Sequence, residues 1–134
     1  MIKQYLLSPG PTPVPNEVAL AMAETMIHHR TPQFNRVFDE ARRKLQKLFG
    51  TKNDVLILAS SGTGAMEAAV ANLFSPGDKV LVINGGKFGE RWLNISNAYG
   101  LDSIELKVPW GQAVKVTEVE KTLNAHPGVQ GVMI

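Results

Sequence analysis

The sequence predicts an α/β fold, a largely parallel sheet with helices on both faces, and three observations carry that prediction. Short strand-like runs recur at residues 55–59, 79–83, 103–108 and 129–134. Longer segments of helical periodicity or strong helix formers lie between them, and such alternation implies right-handed crossovers and parallel pairing. Two small-residue turns, around Ser61 and around Phe88, each follow a predicted strand. Ligands of open parallel sheets bind beyond the carboxyl ends of the strands, so the two turns converge on one site.

Composition narrows the class. The 134 residues, 44% hydrophobic and 19% charged, suit one soluble globular domain with a sizeable core. Net charge is only +2, and the basic triplet Arg42-Arg43-Lys44 stands beside Asp39 and Glu40. A solvated helix face explains it better than a nucleic-acid patch, so no nucleic-acid partner is expected. The chain has no cysteine, which excludes a disulfide framework and thiolate chemistry. The start, Met1-Ile2-Lys3-Gln4-Tyr5, lacks the apolar core of a signal peptide, and no apolar run has membrane length. No membrane association is expected, and the cytoplasm is the default location.

Taken in order, residues 1–15 form an N-terminal proline-rich arm. Pro9, Pro11, Pro13 and Pro15 fix φ and remove donors, giving an extended, ordered loop. Residues 16–26 read as a helix with Val18, Met22 and Met26 on one face, suited to a core or a subunit interface. Thr31 as N-cap and Pro32 in the first turn open a second helix, striped by Phe34, Phe38, Ala41, Leu45 and Leu48 and stopped by Gly50. Between the helices, His28, His29 and Arg30 place cations near a helix C-terminus. Adjacent histidines lack metal-ligand spacing, so no metal site is expected.

The apolar run at 55–59 predicts a buried strand, followed by Ser60-Ser61-Gly62-Thr63-Gly64 and a helix from Ala65. Ser75-Pro76-Gly77-Asp78 turns into the strand at 79–83, and residues 85–89 turn into a helix at 90–99 that Gly100 ends. A strand at 103–108 precedes Thr117-Glu118-Val119-Glu120, whose spacing is that of a capping box opening a helix to about Ala125. Pro127-Gly128 then leads to the strand at 129–134.

The turn at 60–64 carries the chemistry. Where a helix begins, its first N–H groups are unpaired and the dipole leaves partial positive charge, so a phosphate or carboxylate is a natural guest. A P-loop needs a lysine after its last glycine, and no Lys or Arg lies between Lys52 and Lys79. A dinucleotide fingerprint needs a third glycine where Glu67 stands, and the following strand ends in Asn84-Gly85 with no acid for a ribose. On spacing alone, a plain helix cap that binds nothing carries about half the weight, because Ser, Thr and Gly caps are ordinary.

Ser61-Gly62-Thr63-Gly64-Ala65-Met66-Glu67-Ala68-Ala69 resembles the phosphate-binding turn of the class V aminotransferases, in particular the alanine–glyoxylate and serine–pyruvate branch. Leu6-Leu7-Ser8-Pro9-Gly10-Pro11-Thr12 and Gly86-Lys87-Phe88-Gly89-Glu90-Arg91 agree in order and spacing. The resemblance implies pyridoxal phosphate (PLP) as cofactor and a fold-type-I PLP enzyme, with residues 16–134 as the first part of its large domain. It implies transfer of an amino group from alanine or serine to a 2-oxo acid such as glyoxylate or pyruvate, by a homodimer. The cofactor phosphate would rest on Ser61, Gly62 and Thr63, and Phe88 would stack on the pyridine ring. Gly10, with Ser8 a weaker candidate, would face the substrate, and Arg30 would contact the substrate or a neighbouring subunit.

The strand at 129–134 has no helix after it to cover the sheet, so the chain is expected to be the N-terminal portion of a longer protein. The family's Schiff-base lysine and the aspartate that holds the pyridine nitrogen are expected beyond Ile134, and no lysine here lies in a matching motif. No catalytic residue is therefore expected within the chain, which alone should be inactive. The competing reading is a non-catalytic module, or a degenerate relative, that binds a phosphate-bearing ligand or a partner chain.

Overall fold

A computed structural model describes residues 5–8 and 10–134; residues 1–4 and Pro9 of the expected arm lie outside them. The chain divides into two units, Met1–Leu56 and Ile57–Ile134.

In the first unit, α1 spans Asn16–Met22 and α2 spans Pro32–Phe49. α2 starts and stops where expected. The Thr31 hydroxyl accepts the Phe34 N–H at 3.3 Å, and Gly50, at φ 62°, takes the left-handed conformation that an L side chain resists. That turn lets the Thr51 N–H reach the Gln46 carbonyl at 3.0 Å, satisfying a carbonyl at the helix end. The basic triplet is a solvated face: Arg42 pairs with Asp54 and lies 3.8 Å from Asp39, and Lys44 pairs with Glu40 at 2.7 Å.

α1 ends at Met22 rather than Met26. It has no side-chain cap, its N-cap residue is Pro15, and Met26 is 96% exposed. A short helix is held mainly by packing of an apolar face, and Met22 and Met26 have none to hold a further turn.

The second unit comprises α3 (Gly62–Leu73), β1 (Lys79–Asn84), α4 (Lys87–Ala98), β2 (Asp102–Lys107), α5 (Val116–Ala125) and β3 (Gly131–Met133). The sheet runs β2–β1–β3 and both pairings are parallel, with Leu81 opposite Ile104 on one side and Val132 on the other. The chain steps from β1 one way to β2, then back past β1 to β3. With right-handed crossovers, that reversal puts α4 and α5 on opposite faces.

Burial along β1 agrees with a sheet covered on both sides. Val80, Leu81, Val82 and Ile83 are all buried, although successive side chains point to opposite faces. Val80 and Val82 join Val70, Leu101 and Met133 in one cluster, flanked by Phe74, Trp92, Leu93 and Ile95. Ser96, fully buried on α4, donates to the Trp92 carbonyl at 2.8 Å.

Three expectations are corrected here. Residues 55–59 form no strand: β1, β2 and β3 pair only with one another among the described residues. Leu56, Ile57 and Leu58 stay 79, 51 and 48% exposed. A strand exists only by pairing, and an apolar run without a partner edge stays extended and irregular. The helix expected from Glu90 begins at Lys87, because the Gly86 carbonyl accepts the Glu90 N–H at 2.9 Å and closes its first turn. The capping box at Thr117 does not form. Lys115 is the N-cap and its carbonyl accepts the Glu118 N–H at 3.0 Å, so Thr117 is already inside the helix.

Among the described residues, no helix is long and apolar enough to cross a membrane.

Candidate functional site

Ser61, in extended conformation (φ −71°, ψ 165°), caps α3, and its hydroxyl accepts the Gly64 N–H at 3.3 Å. The N–H groups of Gly62 and Thr63 have no intrahelical carbonyl to bond. A Cβ added at Gly62 would meet nothing within 4 Å, whereas one at Gly64 would lie 2.8 Å from the Ser60 hydroxyl. Gly62 therefore leaves open approach to the backbone, and Gly64 is needed to close the turn.

Beside it, β1 delivers the chain into Gly85 and Gly86 and then at once into α4. The starting point of α4 is fixed by close contact. A Cβ on Gly89 would come within 2.6 Å of the Ile83 carbonyl and 2.8 Å of the Asn84 Cα, so only glycine lets the first turn sit directly on the end of the strand. Phe88, second in the helix, then stands clear of the core with 58% of its surface exposed. It borders a cleft of about 310 Å³ lined by Ile83, Gly86, Val108 and Ile134, residues at the carboxyl ends of all three strands.

The two turns are joined. Arg91 donates from its guanidinium to the Thr63 hydroxyl at 2.9 Å, and the same guanidinium lies 5.3 Å from the Phe88 ring centroid. One turn further along α3, and at the C-cap of α4, the Tyr99 hydroxyl donates to the Glu67 carboxylate at 2.8 Å. That bond raises the Tyr99 pKa above its ordinary value, and the negative charge of Glu67 adds to it. Lys87 pairs with Glu90 at 2.6 Å and lies 5.9 Å from the Trp110 ring.

Sequence reasoning singled out Ser61, Gly62, Thr63 and Phe88, and the structure places them at the starts of α3 and α4, which the Arg91–Thr63 bond joins. It missed Arg91. The signal was the spacing of Phe88 and Arg91, which share a helix face only if α4 begins before Glu90. Gly10 and Arg30 belong to the first unit. A Cβ at Gly10 would meet nothing within 4 Å, and the Arg30 N–H donates to His28 Nδ1 at 3.0 Å. The Ser8 hydroxyl donates to the Pro11 carbonyl at 3.1 Å.

Comparison with known proteins extends this geometry. The family model for aminotransferase class-V matches residues 4–133. The chain is 43% identical to the small subunit of a soluble hydrogenase from Synechococcus, over 92% of this chain and 32% of that one. An aspartate aminotransferase from Thermus thermophilus superposes with a TM-score of 0.86 at 41% identity, over 96% of this chain and 36% of that structure. An alanine–glyoxylate aminotransferase from Nostoc superposes with a TM-score of 0.84 at 33% identity, over 94% and 34%. The chain thus spans about a third of the length of the curated relatives it matches.

Proposed function

Because this chain belongs to the class V aminotransferases, we propose that it is the first part of an enzyme moving the amino group of alanine or serine to glyoxylate or pyruvate. Pyridoxal phosphate is the cofactor of that family. When bound, it supplies the electron sink that makes the bonds next to the amino group labile.

The residues at the edge of the second unit suit that cofactor. Around the start of α3 stand two helix N–H groups without helical partners, the hydroxyls of Ser61 and Thr63, and the Arg91 guanidinium, a donor set for an anion. The acid of α3, Glu67, is engaged by Tyr99. One observation carries the proposal: an exposed phenylalanine, at the mouth of a cleft, is linked through a single arginine to an open helix N-terminus. In this role Ser61, Gly62 and Thr63 hold the phosphate, and Phe88 presents a flat apolar face to the pyridine ring.

Gly10 and Arg30 are assigned to the substrate side. A guanidinium matches the geometry of a carboxylate, which every amino acid and 2-oxo acid carries. Residues 1–15 act as an arm and residues 16–134 as the first part of the cofactor-binding domain. The covalent lysine and the aspartate at the pyridine nitrogen are assigned to polypeptide outside these residues. The assembly proposed is a cytoplasmic homodimer, for which sedimentation equilibrium of the full-length protein is the check.

The test is a transamination assay on the protein as its gene encodes it, with alanine, serine and aspartate as donors and glyoxylate and pyruvate as acceptors. Alanine or serine with glyoxylate should turn over fastest. Faster reaction with aspartate, the substrate in the name of the Thermus thermophilus relative, would overturn the donor assignment.

A further inference from the structure

We propose that Arg91 is a positioning residue for the cofactor, which aims the Thr63 hydroxyl at the phosphate and locks the Phe88 ring to the same frame. This rests on the placement of the phosphate at Ser61, Gly62 and Thr63.

The proton accounting at Thr63 is restrictive. A hydroxyl has one hydrogen to give and two lone pairs to accept with. The Thr63 oxygen accepts from Arg91 at 2.9 Å, so its own hydrogen must point away from the guanidinium. Thr63 is a half-buried residue in the open first turn of α3, where the N–H groups of Gly62 and Thr63 also await an acceptor. Without Arg91, the hydroxyl would be free to rotate and to bond backwards to a carbonyl of its own turn. With Arg91, a hydrogen-bond donor is oriented before any anion arrives, and a full positive charge stands directly behind it.

The same side chain fixes the ring. Phe88 and Arg91 are three residues apart on α4 and share a face, and 5.3 Å between guanidinium and ring centroid is within cation–π range. Ring and hydroxyl thus hold their spacing through one rigid planar group. Lysine would keep the charge but not the planar fork that faces both partners.

A second link between these helices supplies an internal control. Tyr99 and Glu67 join α3 and α4 away from the open turn. If Arg91 mattered only for packing the helices together, breaking that link should have a similar effect on the cofactor.

The experiment uses the protein as its gene encodes it, stripped of cofactor and titrated with PLP, with pyridoxal, and with inorganic phosphate as competitor. Variants are Thr63→Val, Arg91→Met, Arg91→Lys, the double variant Thr63→Val/Arg91→Met, and Tyr99→Phe. Arg91→Met should weaken PLP about tenfold or more, the scale of a hydrogen bond serving a charged group. It should also weaken competition by phosphate, and weaken pyridoxal less than PLP, because pyridoxal keeps the ring that Phe88 faces but lacks the phosphate that Thr63 serves. The double variant should bind no worse than the weaker single one, because both changes remove the same donor. Arg91→Lys should recover part of the loss, and Tyr99→Phe should bind PLP normally. Weakening by Thr63→Val alongside unchanged affinity in Arg91→Met, strictly additive losses, or an equal loss in Tyr99→Phe would overturn the role of Arg91 and leave the phosphate placement standing. Unchanged PLP affinity in Thr63→Val, with Arg91→Met also unchanged, would overturn both.

Discussion

Phe88 lies in the first turn of α4 and Tyr99 at its C-cap, and they meet different demands. Phe88 is 58% exposed although it follows a strand whose side chains are buried, which is the position of a residue kept clear for a ligand. Phe88→Ala should loosen PLP severalfold, while Phe88→Tyr or Trp should hold it, because stacked aromatic pairs add roughly 0.5–1.5 kcal/mol beyond area. Equilibrium dialysis of the three variants is the check, and equal retention would take the ring elsewhere. Tyr99 has a titration that reports its bond. The Glu67 carboxylate favours the protonated phenol and raises its pKa above 10.0. A raised pKa means the bond contributes in full below the ordinary phenol value and is lost as pH rises through the folded value. Its window is therefore above pH 10. Glu67→Gln should move the ultraviolet titration of Tyr99 back towards the ordinary value, with the difference from the Tyr99→Phe variant isolating the signal. At this scale Ser61, Gly62, Thr63 and Phe88 were legible, because turn residues after a predicted strand carry their own chemistry. Arg91 was not, because its role depends on where α4 starts, and a side chain's partner in another helix leaves no local mark.

The start of α4 is set by a contact that the sequence hides. Gly89 looks like one more turn glycine, but its missing Cβ is what allows α4 to begin against the end of β1. Gly89→Ala should force helix and strand apart, costing about 1–3 kcal/mol as an overpacked core site does. Urea unfolding of the full-length protein measures that cost, and because the displaced turn carries Phe88 and Arg91, PLP affinity should fall with it. Wild-type stability and affinity together would mean that the contact relaxes freely. Elements defined by their own residues were read accurately. Thr31, Pro32 and Gly50 bound α2 because caps are local, and the sheet strands were placed within a residue or two. Elements that depend on others were misjudged. α1 runs short for want of packing on Met26, Thr117 loses the cap position to Lys115, and residues 55–59 have strand composition without a strand to pair with.

For the whole molecule, the unpaired run at 55–59 and the absence of a motif-matched lysine point to the same conclusion. Apolar Leu56, Ile57 and Leu58 are about half exposed or more, as are Met22, Leu48 and Phe49. Surface of that kind is covered in working proteins or else associates, so polypeptide 1–134 by itself should be poorly soluble. Its lysines have other engagements close to the candidate site. Lys87, one residue from Phe88, is paired with Glu90 at 2.6 Å, and an ammonium bonded to a carboxylate has no lone pair to offer a carbonyl carbon. Lys79, at the opposite end of β1 from the cleft, donates to the Pro127 carbonyl at 3.4 Å. Residues 1–134 should therefore hold PLP through the phosphate turn and the Phe88 ring only, form no specific covalent link to it, and show no transamination. Incubation with PLP, reduction with borohydride and peptide mapping by mass spectrometry should find scattered, substoichiometric labelling. A single lysine labelled to completion, with turnover of alanine and glyoxylate, would show that these residues hold their own catalytic amine and would overturn the assignment of that amine to polypeptide outside them.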